Sequence, residues 1–330
     1  MSSDQDAALA TAVAALARGE LVGFPTETVY GLGAHAADPQ AVARLYAAKG
    51  RPADHPVIVH IASPAWLDRW VREIPPAARR LADALWPGPL TLVLPRAAGV
   101  LPAITGGQDT VAVRCPAHPL ALALLEACAA AGMAGLVAPS ANRFGRLSPT
   151  EAAAVREAFG SELALVLDGG PCTVGIESTI VEVKGEDVRV LRPGMLGAAA
   201  LEAVLGRALA GADAAASRVS GALPAHYAPR TPLRLLDAAG CAARAAALRA
   251  EGRRAAVFGT AATLAALPAG VATLLAPATA GDYARLLYAG LRQLDASGAA
   301  EILVERPPQG GDWQGINDRL TRAARSTASA

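Results

Sequence analysis

Lysine is rare in this chain, which makes its positions informative. Only Lys49 and Lys184 are lysine, and the other 28 of the 30 basic residues are arginine. Where arginine serves for almost every cation, a retained lysine suggests a task for a compact ammonium rather than a flat guanidinium fork. Lys184 lies in Lys184-Gly-Glu-Asp187 between two strand-like runs and reads as a solvated hairpin tip. Lys49 begins Lys49-Gly-Arg-Pro52, so a second cation, Arg51, follows two residues later. Two more arginines close apolar runs. Arg114 ends Thr110-Val-Ala-Val-Arg114, where alternation puts Thr110, Ala112 and Arg114 on one face, and Arg192 falls in Leu191-Arg-Pro-Gly194. An inward arginine needs an anion. Hydroxyls accompany these cations: Thr26 and Thr28 before Gly31 and Gly33, Ser140 and Asn142 after the run ending at Ala138, Ser148 in Ser148-Pro-Thr-Glu151, and Ser178 in Gly175-Ile-Glu-Ser178. Cations, hydroxyls and strand-end glycines without a metal-ligand cluster suit a phosphate-bearing substrate. No G-x-x-x-x-G-K-[ST] loop is present, so a nucleotide would be held without that cradle.

Each motif also has a plain structural reading. Lys49 and Arg51 complement the negative end of a helix dipole. His60, inside Val57-Ile-Val-His-Ile61, fits a satisfied core histidine. Thr26 and Thr28 fit an ordinary strand and turn, and Ser148 fits an N-cap with Pro at the first helical position.

The elements that must position these residues follow from periodicity. Short β-rich runs (21–24, 57–61, 90–94, 110–114, 136–138, 163–167, 178–183, 188–191) alternate with alanine-rich helical segments. This predicts an α/β domain with a mixed sheet over residues 1–205. A helix is expected to open with Asp38 as N-cap and stop at Lys49-Gly50. Residues 206–230 lose periodicity and gather Ala, Gly, Ser and Pro, which predicts a linker. Beyond it, strands at 233–236, 255–258 and 301–305 alternate with helices, the last beginning near Asn317. That pattern predicts a small parallel, Rossmann-like domain over 231–330, without the G-x-G-x-x-G of dinucleotide binding.

Composition agrees. At 330 residues and 53% hydrophobic, the chain can bury a substantial core, and its formal net charge of +1 provides no global field for a long polyanion. Small anions fit better, and no stable tRNA binding is expected. The four cysteines form no C-x-x-C pair, which predicts neither a zinc site nor a disulfide framework and a reducing, cytoplasmic compartment. The N-terminal segment lacks a basic n-region and reads as a surface helix rather than a signal peptide. From Pro119 to Pro139 the only charged residue is Glu126, but Gly132 and Gly135 split the stretch, so a buried helix, a glycine turn and a buried strand are expected rather than a membrane span.

Taken in order, Pro25-Thr-Glu-Thr-Val-Tyr-Gly-Leu-Gly33, Lys49-Gly-Arg-Pro52, Pro139-Ser-Ala-Asn142, Glu177-Ser-Thr-Ile180 and Leu191-Arg-Pro-Gly194 resemble the YrdC-type threonylcarbamoyl-AMP synthases. His226-Tyr-Ala-Pro229 and the C-terminal domain resemble their longer, two-domain form. The resemblance implies a YrdC-like twisted mixed sheet with flanking helices. It also implies a reaction of L-threonine, bicarbonate or CO2, and ATP that yields threonylcarbamoyl-AMP and pyrophosphate. This is the first stage of t6A formation at position 37 of tRNA, and the product is passed to a tRNA threonylcarbamoyl-transferase. By the same resemblance, Lys49, Arg51, Ser140 and Asn142 form the catalytic K-x-R and S-x-N pair. Thr28, His60, Arg114, the backbone at Ala138 and Ser178 hold threonine. Arg51, His55, Thr110, Ser140, Ser148, Arg192 and Tyr227 contact the nucleotide. Mg2+ is expected with ATP rather than at a dedicated protein site. The resemblance further implies that the linker, 206–230, lies over the active site as a lid; position 55 is His where the family commonly has Asn, and the linker is looser than the family's Pro-Gly-Met-containing form.

Two other readings stay open at this point. One is a carbamoyl-AMP-forming domain of the same architecture, usually a module of a much larger chain. The other is a non-catalytic RNA-binding protein that uses the cationic hollow.

Overall fold

In the computed structural model, which describes residues 3–211, 213 and 215–326, the short runs of the first two-thirds join into one nine-stranded mixed sheet. Its strands are β1 (Val22–Phe24), β2 (Gly31–His35), β3 (Ile58–His60), β4 (Leu90–Pro95), β5 (Thr110–Arg114), β6 (Leu136–Val137), β7 (Leu165–Val166), β8 (Thr179–Lys184) and β9 (Asp187–Arg192). They lie in the order β7-β1-β2-β6-β3-β5-β4-β8-β9. Helices α1 (Ser3–Ala17), α2 (Pro39–Lys49), α3 (Pro76–Leu85), α4 (Pro102–Thr105), α5 (Pro119–Ala130), α6 (Ala152–Phe159) and α7 (Ala198–Leu205) accompany it.

Register separates the faces of this sheet. Residues directly opposite one another in a ladder share a face. Ile58 pairs with Ala112 and His60 with Arg114, Val93 with Ala112 and Pro95 with Thr110, Thr91 with Ile180, and Ile180 with Arg192. The alternate residues, Val59, Leu92, Leu94, Val111, Val113, Val181 and Val183, enter the main core with Leu81 of α3 and Leu45 of α2. One face therefore drives folding, and the other carries Thr110, Arg114, His60 and Arg192.

Local chemistry sets the elements around that face. Asp38 caps α2 by accepting from the Gln40 N–H, and the helix closes at Gly50, whose φ of 63° is left-handed. Lys49 is thereby its last helical residue. Gly31 to His35, which lies outside the β-rich runs read from the sequence, forms β2. The glycines serve packing, since a Cβ on Gly33 would meet the Phe24 ring at 3.0 Å. Pro25 to Tyr30, where Thr26 and Thr28 fit a strand and turn, is wholly non-strand, because Thr26 Oγ1 captures the N–H groups of Thr28 and Val29, both at 3.2 Å. Ser148 does not cap a helix: α6 starts at Ala152 after Glu151. The carbonyls of Pro149 and Thr150 are committed to the N–H groups of Tyr30 and Cys172, at 2.8 and 2.9 Å. The Pro119–Pro139 stretch folds as α5, a glycine turn and β6, and among the described residues no helix is long and apolar enough to cross a membrane.

The chain divides into two units. The first holds the residues up to Phe144, Pro149–Thr173 and Glu177–Ala222; the second holds Gly145–Ser148, Val174–Ile176 and the chain from Leu223 onward. The second unit is a four-stranded, all-parallel sheet in the order β10-β13-β11-β12, built from β10 (Leu233–Leu236), β11 (Ala255–Gly259), β12 (Ala272–Leu275) and β13 (Glu301–Glu305). Helices α8 (Ala238–Ala250), α9 (Ala261–Ala265), α10 (Ala280–Asp295) and α11 (Gln314–Ser326) connect and flank it. Helix α9 and strand β12 were not expected. β12 is a half-exposed edge strand with Thr273 and Leu275 turned outward.

Candidate active site

Arg114 stands at the end of β5 with its guanidinium buried and committed. Nη2 donates to Glu27 Oε1 at 2.6 Å, Nη1 to Thr28 Oγ1 at 2.8 Å, and Nε to the Gly88 carbonyl at 3.3 Å. The second oxygen of Glu27 accepts the Ala117 N–H at 3.0 Å. Across the ladder, His60 is almost fully buried, and its Nδ1 lies 3.3 Å from the Ile58 carbonyl. A carbonyl only accepts, so Nδ1 carries the proton and Nε2 keeps its lone pair. Burial, with the Arg114 cation beside it, pushes the imidazole down to about 3. His60 is neutral at physiological pH.

Ser178 precedes β8. Its hydroxyl lies 2.7 Å from Thr91 Oγ1, and Arg192 Nη2 donates to its carbonyl at 2.9 Å. Ala138 follows β6 and donates its N–H to the Ile58 carbonyl at 3.0 Å.

At the end of α2 the two motifs that sequence separates by ninety residues meet. Lys49 Nζ donates to the carbonyls of Ser140 at 2.6 Å and Asn142 at 2.5 Å. Burial first, then the cations of Arg51 and Arg143, holds this ammonium well below its ordinary range, with Glu177 opposing. Two donations leave one of its three protons for a further acceptor. Arg51 donates to the Pro56 carbonyl at 2.7 Å and lies over the Phe144 ring at 6.0 Å. His55 packs against the same ring at 5.5 Å, and burial, then Arg51, lowers its pKa.

A segment of the linker joins these cations. Arg51 Nη2 donates to Ser220 Oγ at 3.3 Å, and Arg192 Nη1 to the Ser220 carbonyl at 2.9 Å. Thr110 Oγ1 lies 2.9 Å from Ser217 Oγ. Val219 sits on the apolar part of the sheet face, against Ile58, Val93 and Ile180. Residues Ser217 to Ser220 thus form a strap across the face that carries Thr110, Arg114 and Arg192.

Residues 14–194 match a family model that groups Sua5, YciO and YrdC proteins under the description Telomere recombination. Residues 196–325 match the model described as Threonylcarbamoyl-AMP synthase, C-terminal domain. The chain is 39% identical to the threonylcarbamoyl-AMP synthase of Pyrococcus abyssi, over 93% of this chain and 91% of that one. The chain belongs to the Sua5 family of two-domain threonylcarbamoyl-AMP synthases. The Bacillus subtilis enzyme of the same name is also 39% identical, over 98% of this chain and 94% of its own length. The crystal structure of P. abyssi Sua5 complexed with L-threonine superposes with a TM-score of 0.88 at 37% identity, covering 97% of this chain and 94% of that one.

In this Sua5-family chain, the first unit brings together Thr28, Lys49, Arg51, His55, His60, Thr110, Arg114, Ala138, Ser140, Asn142, Ser178 and Arg192. Ser148 and Tyr227 belong to the second unit, where Ser148 is fully buried. Tyr227 has a left-handed φ of 60°, unusual for a bulky side chain. Its ring packs edge-on against His226 at 4.2 Å and beneath the Arg319 guanidinium at 5.2 Å. That packing holds the strained backbone. Sequence reasoning missed three contributors: Glu27, Thr91 and the strap hydroxyl of Ser217. Glu27 carried a signal, as the acid between two threonines in an otherwise uncharged run. Thr91 carried none, since one hydroxyl in an apolar strand is ordinary.

Proposed function

We propose that this chain condenses L-threonine, bicarbonate or CO2, and ATP on the strapped sheet face of the first unit, and passes the threonylcarbamoyl-AMP product to a tRNA threonylcarbamoyl-transferase. The near-full-length likeness to a Sua5 crystallised with L-threonine supports threonine as the amino acid. The same match weighs against a module of a larger carbamoyl-transferring chain and against a purely RNA-binding role. The observation that carries the site assignment is the register that puts Thr110, His60, Arg114 and Arg192 on one face, with Arg51 and Arg192 meeting at Ser220.

In this reading, threonine's carboxylate binds the Arg114 fork, and Thr28 and Ser178 supply hydroxyls. Neutral His60 offers Nε2 as an acceptor for the amino acid's N–H or O–H, without a second charge near Arg114. Carboxylation of the threonine nitrogen produces a carbamate anion. One carbamate oxygen then attacks the α-phosphorus of ATP, the bond to the bridging oxygen breaks, and pyrophosphate leaves with that electron pair. Two anions must approach, so positioning and charge stabilisation are the protein's task. Lys49, Arg51 and Arg192 would supply the cations. Lys49, already fixed by two carbonyls, spends little orientational freedom at the moment of reaction.

Among the described residues, no group of three or more His, Cys, Asp or Glu gathers to hold a metal ion. Mg2+ enters this reading as part of the nucleotide substrate, which brings its own oxygens for it. The test is pyrophosphate release from the full chain with each substrate omitted in turn. Release that requires threonine and bicarbonate together supports the proposal. Release driven by carbamoyl phosphate, or none under any combination, rejects it.

A further inference from the structure

The second unit contains a cavity of about 630 Å³ that the threonylcarbamoyl-AMP chemistry does not use, within the size range of small-molecule sites. Its place in the fold is distinctive. In an open parallel sheet, ligands bind outside the carboxyl ends of the strands, at the point where adjacent strands send their connections in opposite directions. Here β11 leads through α9 to β12 on one side, while β13, beside β11, leads to α11, which packs against β10 on the other. The crevice between the carboxyl ends of β11 and β13 is that point. Thr260 and Glu305, the residues at those two ends, both line the cavity.

The lining then specifies an occupant. Leu275, Pro307 and Trp313 provide apolar and aromatic wall, and Leu275 is 56% exposed, open to an occupant. Tyr283 is 2% exposed, stacked on Phe258 at 4.7 Å and edge-on to Trp313 at 5.6 Å. Its hydroxyl is buried at this wall without a hydrogen-bond partner among the described residues. Leaving such a group unpaired carries the full desolvation cost of the hydroxyl, which a ligand acceptor or donor at this wall would relieve. Glu305 reaches the crevice because Gly259 has no Cβ; one placed there would lie 3.0 Å from Oε2. The Thr260 N–H donates to Glu305 Oε2 at 2.6 Å, and Oε1 takes no protein donor among the described residues.

A fixed, half-buried carboxylate with an open oxygen, set among aromatic and apolar walls, selects a donor-bearing ring and repels an anion. Arg306 at the rim is exposed, where its charge is screened. The turn after β11 reads Gly259-Thr-Ala-Ala and lacks the glycines that admit a phosphate. We propose that this crevice is a binding site for a small aromatic amine or similar cationic, donor-bearing ring compound, with Glu305 as the acceptor and Leu275 and Trp313 as the walls. The site is independent of the assignment made for the first unit.

The probe is 2-phenylethylamine, with phenylacetate as the matched anion, titrated against the full chain by ligand-observed NMR. The wild type should bind the amine saturably with a Kd on the order of 0.1–1 mM, the range for a probe of this size. Phenylacetate should bind at least about tenfold more weakly, as expected for a site whose anchor is a carboxylate. Glu305→Gln should weaken the amine about tenfold or more, and Leu275→Arg should remove binding, each with an unchanged far-ultraviolet circular dichroism spectrum. Absence of saturable binding to the wild type, equal affinity for amine and acid, or amine binding unaltered by both substitutions would overturn the proposal.

Discussion

Replacing Glu27 with alanine tests the electrostatics of the site where the geometry is most explicit. The Glu27–Arg114 pair is closed at 2.6 Å with both side chains almost wholly buried, and Glu27 also satisfies the Ala117 N–H. Glu27→Ala leaves the guanidinium in place without its counter-anion and orphans that N–H. Breaking a buried pair in this way costs about 3–5 kcal/mol. For a unit of this size, each kcal/mol lowers Tm by about 2–4 °C, so the expected loss is about 6–20 °C. Glu27→Gln, which keeps an acceptor but not the charge, should fall between that and the wild type. If Arg114 receives the amino acid's carboxylate, added L-threonine restores an anion to the deprived guanidinium. It should therefore raise the Tm of Glu27→Ala by more degrees than it raises that of the wild type. Thermal unfolding followed by circular dichroism, with and without saturating L-threonine, measures both effects. A Glu27→Ala melt within about 1 °C of wild type would refute the assigned weight of the pair. A threonine-induced shift no larger than that of wild type would refute the carboxylate's place on Arg114.

Three further outcomes are expected. Arg114→Ala should raise the KM for threonine by tenfold or more, as expected for loss of a charge-assisted fork, with a smaller change in the KM for ATP; an unchanged threonine KM, read from pyrophosphate release, rejects that role. Removing residues 206–330 should leave a folded core that consumes more ATP per molecule of threonylcarbamoyl-AMP, because the contacts of Ser217 and Ser220 with Thr110, Arg51 and Arg192 are lost and water reaches a hydrolysable carbamate and anhydride. Equal coupling in the two forms defeats this. His60, at about 3 in the fold against an ordinary 6.5, makes stability fall as pH drops from about 6.5 towards 3, since only the unfolded chain takes up the proton there. The slope is about 1.4 kcal/mol per pH unit for one such group, and denaturant titrations of His60→Gln should be flatter over that window than those of wild type.

The parts of this molecule that were legible in the sequence are those that local rules determine. The Asp38 cap, the Gly50 stop and the period-2 runs of β4, β5 and β8 each announce themselves within a few residues. Arg114 was placed on the face of Thr110 and Ala112 by alternation alone. The glycine-rich β2 was not legible, because its residues are chosen to accommodate the Phe24 ring, a contact made after folding. Nor was the Thr26 turn, where a side chain outcompetes strand geometry for the N–H groups of Thr28 and Val29. A linker lying over the site was expected from the resemblance; which of its residues make the contacts was not. Residues 206–230 have no periodicity, and Ser217 to Ser220 are held by the Glu182 carboxylate, which accepts from the Ser217 N–H and hydroxyl at 3.1 and 2.6 Å, by the Gln108 side chain, which accepts the Arg218 N–H at 2.7 Å, and by the apolar packing of Val219, partners scattered along the chain that leave no pattern in one dimension.

The strap also changes how substrate binding must be understood. The cations of the first unit do not wait bare for an anion: Arg114 is neutralised by Glu27, Lys49 is held by two carbonyls, and Arg51 and Arg192 are both engaged with Ser220. Gathering cations in a buried hollow without such partners would incur several kcal/mol of desolvation and mutual repulsion. The partners make the arrangement stable, and they differ in strength. Glu27 carries a full charge and is anchored at both oxygens, so in the proposed reading it would remain when threonine binds and leave the rest of the Arg114 fork for the carboxylate. Ser220 offers only a neutral hydroxyl and a carbonyl, so in the proposed reading a phosphate would exchange with it on Arg51 and Arg192, because hydrogen bonds to charged groups are about twice as strong as neutral ones, while Glu182 and Gln108 keep the neighbouring Ser217 and Arg218 in place. In the proposed reading this hierarchy would order events at the site, with the amino acid end preformed and the nucleotide end opened by exchange with the strap.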